Sequence, residues 1–301
     1  MLPSHRSSFH VFRFAGVDVF LHWSWFLVAV YQISGGVRRY SSPIWCVYEY
    51  LALFLIVLLH EFGHALACRS VGGRADQIIL WPLGGVAYVD PPQRPGAMLW
   101  SIAAGPLVNA LLVPIFFVIW LLAGASQWGA TRPDLCQFAT TMQVINLALL
   151  LFNLLPIYPL DGGQILRSLL WFLVGRARSL MIASTIGLVV VPVIVLLAIK
   201  PLLNNPWLGV LAAFALLQCW TGFQHARLLT RINAAPRRAD CACPSCGASP
   251  PTGEFWICGK CRQHLDMFAT NGFCPNCGVI LDGVRCMECG QWHTLRAFIR
   301  S

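Results

Sequence analysis

The chain has 301 residues, of which 57% are hydrophobic and only 11% are charged. Soluble domains contain about 45–50% apolar residues, so this composition excludes an ordinary soluble enzyme and predicts a membrane protein. The formal net charge is +9. Positive residues at membrane edges set topology and attract anionic lipid, so the charge indicates the lipid bilayer as a partner and makes nucleic acid an unlikely one.

Apolar stretches of about 20 residues predict six membrane-spanning helices. They cover residues 17–34, 44–68, 97–122, 137–156, 179–199 and 206–229. Twelve arginines fall on the side of the two termini, and four arginines or lysines fall on the other side. The positive-inside rule therefore predicts a multi-pass protein of the cell membrane whose N- and C-termini are both cytoplasmic.

The segment between the second and third predicted spans, residues 72–92, alternates like a strand pair and contains a glycine-marked bend. It predicts a short β-hairpin, which could dip into the membrane only where protein or water satisfies its backbone. An ordinary interfacial loop is the alternative. The expected fold is thus an all-α polytopic membrane protein with a short membrane-dipping hairpin and a small tail domain.

The second predicted span contains the sequence His60-Glu61-Phe62-Gly63-His64. On a helix, two histidines four residues apart share one face and can bind one zinc, with the glutamate between them as a general base. Ionisable groups at membrane depth cost several kcal/mol and are usually functional. The alternative is a pair of core histidines bonded to neighbouring helices. A catalytic zinc also requires a third protein ligand.

Asp161 is the candidate for that third ligand. It follows the fourth predicted span in a segment, residues 153–163, that holds two prolines and two glycines, and it is the only acid between Asp134 and Asp240. The prolines should break the helix, and the glycines should permit an unusual backbone. The alternative is an aspartate that caps a helix beginning at Gly163 or Gln164.

With both motifs in view, the chain resembles the site-2 protease family, whose members are zinc metalloproteases that cut within the membrane. The resemblance covers about residues 10–230. The motifs that carry it are His60-Glu61-x-x-His64, Gly105-Pro106-x-x-Asn109, Asn153-x-x-Pro156-x-x-Pro159-Leu160-Asp161-Gly162 and the loop Pro82-Leu83-Gly84-Gly85. Asn109 has an alternative interpretation as a hydrogen-bonding residue between helices.

The resemblance implies one catalytic zinc with three protein ligands, which are His60, His64 and Asp161. It implies that Glu61 activates the water, that Asn153 helps to hold an extended substrate segment, and that the loop at Gly84 and Gly85 offers backbone for strand-like pairing with substrate. The expected function is that of an intramembrane zinc endopeptidase acting on a membrane-anchored protein, in regulated intramembrane proteolysis.

A catalytically inactive membrane scaffold that recruits a partner through its tail is the alternative function. A zinc transporter would need several acids and histidines along a path through the membrane. The predicted spans contain essentially two acids, Glu49 and Glu61, so we disfavour a transporter.

Nine of the thirteen cysteines lie within residues 241–289. Eight of them form four Cys-x-x-Cys knuckles, a spacing that is typical of zinc sites. Cytoplasmic placement disfavours disulfides. The domain boundaries expected from these patterns are residues 1–232 for the protease domain, 233–240 for a linker and 241–301 for the tail.

The tail resembles a double zinc ribbon, which implies two structural zincs and a sequential pairing of the knuckles. One zinc would be bound by Cys243, Cys246, Cys258 and Cys261, and the other by Cys274, Cys277, Cys286 and Cys289. A cross-braced pairing is the alternative. We interpret Cys241, His264 and His293 as non-ligands. Two structural zincs and one catalytic zinc make three in all, and the tail is a candidate surface for a protein partner.

Overall fold

The computed structural model describes residues 8–36, 39–81, 84–125, 131–197 and 206–299, and most of them are helical. Within these ranges the helices are α1 (Trp25–Gly36), α2 (Ile44–Ser70), α3 (Pro95–Ala125), α4 (Pro133–Asn153), α5 (Asp161–Val174), α6 (Arg176–Leu197) and α7 (Pro206–Ala234). The strands of the N-terminal half are β1 (Ser8–Phe14), β2 (Val17–His22), β3 (Arg74–Trp81) and β4 (Gly84–Asp90).

Four of these helices, α2, α3, α4 and α6, are long and apolar enough to cross a membrane. They have between 21 and 31 residues, and a helix rises about 1.5 Å per residue, so even about 20 residues match a hydrocarbon core of about 30 Å. They correspond to the second to fifth predicted spans. The sixth predicted span, residues 206–229, coincides with α7, and its crossing of the membrane stays a prediction.

The first predicted span was wrong over its N-terminal part. Residues 17–22 form β2, and α1 has only 12 residues, or about 18 Å of helix. Val17 and Val19 are fully buried, whereas Asp18 and Phe20, which alternate with them, are only partly buried. Such a period of two belongs to a strand with one face in the core.

The four strands form one sheet in the order β1-β2-β3-β4. β1 and β2 are antiparallel, β2 and β3 are parallel, and β3 and β4 are antiparallel. The β3–β4 pair occupies the segment where a hairpin was predicted; its entry into the membrane stays a prediction, and Pro82 and Leu83 lie outside the described residues. One face of the sheet packs against α2, where Val19 and Ile78 share a core with Phe62.

The tail contains two short antiparallel pairs. These are β5 (Trp256–Ile257) with β6 (His264–Leu265) and β7 (Gly283–Arg285) with β8 (Trp292–Thr294). A 3₁₀ turn, Leu295–Phe298, follows β8. Helix α7 continues through Ala234, and the Arg238 N–H donates to the Pro250 carbonyl at 3.0 Å. The residues expected to form a linker therefore belong partly to α7 and partly to the packing of the tail.

Candidate metal centre and catalytic site

His60, His64 and Asp161 lie together although about a hundred residues separate the motifs. The Nε2 atoms of the two histidines are 3.1 Å apart, and Asp161 Oδ2 lies 3.1 Å from His60 Nε2 and 3.5 Å from His64 Nε2. The three side chains are largely buried. The histidines lie on successive turns of α2, and the aspartate is the first residue of α5.

Both imidazoles are oriented by hydrogen bonds on the side away from Asp161. His60 Nδ1 lies 2.6 Å from the Asn109 side-chain oxygen, and His64 Nδ1 lies 2.9 Å from the Ser101 carbonyl oxygen. An oxygen of either kind can only accept, so each Nδ1 carries the hydrogen and each Nε2 presents its lone pair. Metal-binding histidines usually have this arrangement.

Asn109 is itself held by Asn146 of α4. Its side-chain NH₂ donates to the Asn146 side-chain oxygen at 2.9 Å, and the Asn146 NH₂ donates to the Asn109 backbone carbonyl at 3.0 Å. Both residues are buried. Asn109 therefore both bonds between helices and orients His60, so its two interpretations are compatible. The sequence reasoning missed Asn146 and Ser101; for Asn146 the available signal was an amide inside an apolar helix.

Gly105 on α3 makes room for the two imidazoles. A Cβ at this position would lie 2.3 Å from His64 Nε2 and 2.8 Å from His60 Nε2. Gly63 on α2 faces the same helix, and a Cβ there would lie 2.7 Å from the Ala104 carbonyl oxygen. The two glycines thus let α2 and α3 approach until the histidines reach their partners.

The glycines after Asp161 are explained by close packing. Neither Gly162 nor Gly163 has a positive φ, so the unusual backbone expected there was wrong. A Cβ on Gly162 would lie 2.3 Å from the Leu154 carbonyl oxygen, and one on Gly163 would lie 2.4 Å from the Ile157 carbonyl carbon. The segment between α4 and α5 folds back over the first turn of α5, which fixes the position of Asp161.

Asp161 does not have the capping role that was its alternative. Helix α5 begins at Asp161, and its N-cap is Leu160. The aspartate side chain contacts the histidines instead. The loop before it is anchored by Ile157, which is buried with Val191 of α6 and Cys219 of α7.

Glu61 lies between the two histidines in sequence and is buried. Its Oε2 accepts a hydrogen bond from the Ala87 N–H of β4 at 2.9 Å. It is close enough to His60, His64 and Asp161 for their charges to act on it. The carboxylate is therefore held beside the three candidate ligands by the backbone of an outer strand.

The outer edge of the sheet faces Glu61. β4 is the last strand in the sheet order. The Ala87 N–H bonds to Glu61, which is outside the sheet, so it lies on the edge of β4 that is turned away from β3. Gly84 and Gly85 begin this strand, opposite Trp81 and Leu80. Asn153 is the last residue of α4 and is half-buried; it is not part of the group of three ligand candidates.

The geometry of His60, His64 and Asp161 fits zinc. Zn–N and Zn–O bonds of about 2.0–2.1 Å in a tetrahedral site separate the ligand atoms by about 3.3 Å. The observed separations are 3.1, 3.1 and 3.5 Å. Two imidazoles and one carboxylate leave a fourth position for water or substrate, as catalytic zinc sites require.

The tail cysteines form two groups of four, but the predicted sequential pairing was wrong. One group is Cys243, Cys246, Cys286 and Cys289, and the other is Cys258, Cys261, Cys274 and Cys277. The first knuckle is thus paired with the fourth and the second with the third, which is a nested arrangement. It differs from the cross-braced alternative as well.

The nested pairing follows from how the chain end returns to the start of the tail. The Ala242 N–H donates to the Phe298 carbonyl at 2.7 Å, and Cys241 and Ile299 form a β-bridge. Arg237 reaches Glu288, inside the fourth knuckle, at 3.2 Å. These contacts bring the first and fourth knuckles together.

The sulfur separations in both groups suit zinc. Across the paired knuckles they are 3.7 Å in the outer group and 3.6 Å in the inner group, whereas Zn–S bonds of about 2.3 Å predict about 3.8 Å. Neither group includes Cys241, His264 or His293, in line with their interpretation as non-ligands. His293 Nε2 lies 2.9 Å from the Ser245 hydroxyl.

Backbone hydrogen bonds favour thiolate in the inner group. The backbone N–H of Gln263 and the side-chain amide of Asn276 lower the pKa of Cys261 to about 6. The backbone N–H groups of Cys261 and Lys260 lower the pKa of Cys258. The pKa of Cys277 is raised to about 12, because burial and protons shared with neighbouring thiols outweigh the Val279 N–H. Zinc binds thiolates, so a metal would displace the shared protons.

Comparison with known proteins bears directly on these sites. Residues 48–135 and 126–197 match the model of peptidase family M50. The protein YwhC of Bacillus subtilis is 32% identical over 151 residues, which cover 40% of this chain and 68% of that protein. The chain belongs to peptidase family M50.

Further similarity is to protein from an archaeon. A zinc metalloprotease of Methanocaldococcus jannaschii is 33% identical over 180 residues, 60% of this chain and 50% of that protein. The solved structure of a site-2 protease from the same organism is 27% identical, with a TM-score of 0.50 over 72% of this chain and 95% of that one. The chain thus spans only about half the length of some curated relatives that it matches.

Proposed function

We propose that the protein is an intramembrane zinc endopeptidase that hydrolyses a peptide bond in or near the transmembrane segment of a membrane-anchored protein. One observation carries the proposal: two Nε2 atoms and a carboxylate oxygen lie 3.1–3.5 Å apart, with Glu61 beside them, on a helix long enough to cross a membrane. Names of relatives as zinc metalloproteases and the site-2 protease neighbour support it.

The proposed topology has six membrane spans and cytoplasmic termini. In this topology α2 runs toward the cytoplasm, and His64 lies six residues before the end of that helix at Ser70, or about 9 Å from it. Hydrolysis then takes place near the cytoplasmic face, where water is close. Regulated intramembrane proteolysis, with release of a cytoplasmic product, is the process that this location suits.

Zinc, held by His60, His64 and Asp161, would supply a Lewis acid at the scissile carbonyl. The chain's own residues perform the proton transfers. Glu61 accepts a proton from the attacking water and delivers it to the leaving nitrogen. The Ala87 N–H fixes the carboxylate for both steps, and Asn109 and the Ser101 carbonyl keep both Nε2 atoms directed at the site.

We propose that substrate binds as a strand along the outer edge of β4. A helical transmembrane segment hides its peptide carbonyls in internal hydrogen bonds, so it must unwind before attack, and pairing with a sheet edge satisfies the backbone groups that unwinding exposes. The edge near Gly84 and Gly85 adjoins the strand residue that holds Glu61. Asn153 would contact the extended segment from the end of α4.

The tail is proposed to be a double zinc ribbon with two structural zincs, which brings the total to three per chain. A zinc bound by four cysteines has no open position, so the tail's role is docking or regulation. Full-length protein should hold three zincs, and replacement of both His60 and His64 by alanine should leave two. A protein that holds two zincs before and after the histidine replacement would contradict the catalytic site.

Glu61→Gln tests the mechanism, with Glu49→Gln as the matched control on the same helix. Glu49 is buried too, but it bonds to the Tyr40 hydroxyl at 2.8 Å and to Arg39 at 3.3 Å, outside the metal group. Membrane proteins that co-purify with the Glu61→Gln protein are candidate substrates. Each would then be co-expressed with the wild-type protein and with both variants.

Processing should stop in the Glu61→Gln protein and continue in the Glu49→Gln protein. Gln cannot accept the water proton, and loss of a general base typically slows a reaction by about 10²–10⁴-fold. Undiminished cleavage in the Glu61→Gln protein would refute the assigned mechanism. Specific co-purification without cleavage by any form would favour the alternative, an inactive scaffold.

A further inference from the structure

A cluster of positive side chains surrounds Trp171 at the junction of α5 and α6. The guanidinium carbons of Arg167 and Arg176 each lie 5.9 Å from the centre of the Trp171 ring. Arg167 precedes the tryptophan by one helical turn. Arg176 reaches it because Gly175, with φ of +82°, ends α5 and reverses the chain.

The two guanidinium groups have few hydrogen-bond partners. The Nε atom of each is buried and has no hydrogen-bond partner among the described residues. Arg176 makes one long bond, from Nη1 to the Met287 carbonyl of the tail at 3.4 Å. In the described part of the chain Arg167 has no hydrogen bond or ion pair. Buried donors on a charged group are costly when unpaired.

The charge around this cluster is not balanced either. The groups whose charges act on Arg167 are Arg176 and the phenol of Tyr158, and His225 of α7 lies within reach of both arginines. The acid that acts on Arg176 is Glu288, which is already bonded to Arg237 at 3.2 Å. Two partly buried cations thus lie against the same tryptophan ring, and the one carboxylate that acts on Arg176 is already paired with Arg237.

We propose that this cluster binds a phosphate group, supplied either by a phospholipid headgroup or by free phosphate. Guanidinium forks match phosphate oxygens in paired hydrogen bonds, and an aromatic face holds a guanidinium in place. A phosphate between Arg167 and Arg176 would satisfy the buried donors and balance the charge. This site is separate from the proposed protease site, and in the proposed topology it lies at the cytoplasmic edge of the membrane.

The same phosphate would connect the membrane helices to the tail. Arg176 bonds to Met287, which lies in the fourth knuckle between Cys286 and Cys289. A ligand that fixes the Arg176 side chain therefore also fixes the contact between α6 and the outer cysteine group.

Binding should be measured on the full-length protein, freed of lipid in a neutral detergent and phosphate-free buffer. The probes are dioctanoyl phosphatidylglycerol, dioctanoylglycerol, which lacks the phosphate, and inorganic phosphate. The test variant is R167Q/R176Q. The matched control is R178Q/R231Q, which removes two positive charges from exposed positions on α6 and α7.

The wild-type protein should bind the phosphatidylglycerol and not the dioctanoylglycerol. R167Q/R176Q should bind it about tenfold more weakly or worse, because two charge-assisted interactions are lost, and the control should bind it like the wild type. Competition by inorganic phosphate would identify free phosphate as a source. Absence of competition, with lipid binding retained, would identify the headgroup.

Equal binding by R167Q/R176Q and the wild type would overturn the proposal, as would an equal loss in R178Q/R231Q. If R167Q/R176Q fails to hold its zincs and is therefore misfolded, R167K/R176K takes its place. That variant keeps both charges and loses the fork, so it should bind more weakly than wild type, and unchanged binding would again overturn the proposal.

Discussion

Replacement of Asn109 by leucine should weaken the catalytic zinc without unfolding the protein. The variant removes the acceptor 2.6 Å from His60 Nδ1 and keeps a side chain of similar size. The imidazole is then free to rotate or to carry its hydrogen on Nε2, the atom that must bind the metal. Hydrogen-bond partners of metal-binding histidines typically contribute about 10- to 100-fold to metal affinity, or about 1.4–2.8 kcal/mol.

The zinc content per chain, measured by mass spectrometry after dialysis at graded free zinc, separates this site from the tail. The step from two to three equivalents should move to zinc concentrations about 10- to 100-fold higher in the variant. Thr185→Val is the control, because it removes an exposed hydroxyl of helix α6 that bonds only within its own helix. An unmoved step in Asn109→Leu, or an equal shift in Thr185→Val, would refute the role given to Asn109.

Two further predictions use the same zinc measurement. Gly105→Ala places a Cβ 2.3 Å from an imidazole nitrogen, so the third zinc and proteolysis should both be lost. Gly96→Ala on the same helix is the control and should keep both, because its Cβ would meet nothing closer than 3.8 Å. A Gly105→Ala protein that still holds three zincs would contradict the packing argument. For the tail, the nested pairing predicts that C243S/C289S loses one zinc and C243S/C258S loses two. Sequential pairing predicts the reverse.

The metal centre could be predicted from the sequence because its signals are local or scarce. His60 and His64 are four residues apart, so any helix places them on one face. Asp161 is the only acid in a long apolar stretch, which leaves few other candidates for a third ligand. Neither inference required knowledge of which helices are neighbours.

Neither the first span nor the zinc pairing could be predicted from the sequence, and the physical reasons differ. An apolar run at Val17–His22 fits a buried strand as well as a helix, and its alternation was the only local sign of a strand. The Cys-x-x-Cys spacing fixes two sulfurs around one metal and says nothing about which knuckles meet. That choice depends on the return of the chain end from Phe298 to Ala242.

The buried amides around the metal centre connect its chemistry to the assembly of the membrane helices. Asn109 on α3 bonds to His60 on α2 and to Asn146 on α4, and in hydrocarbon none of these groups has water as an alternative partner. A slip of one helix by a single turn, about 5.4 Å, would break all of these bonds together. The hydrogen bonds that orient His60 Nε2 therefore also define the register of α2, α3 and α4, so a variant that shifts the packing of these helices should also lose the catalytic zinc.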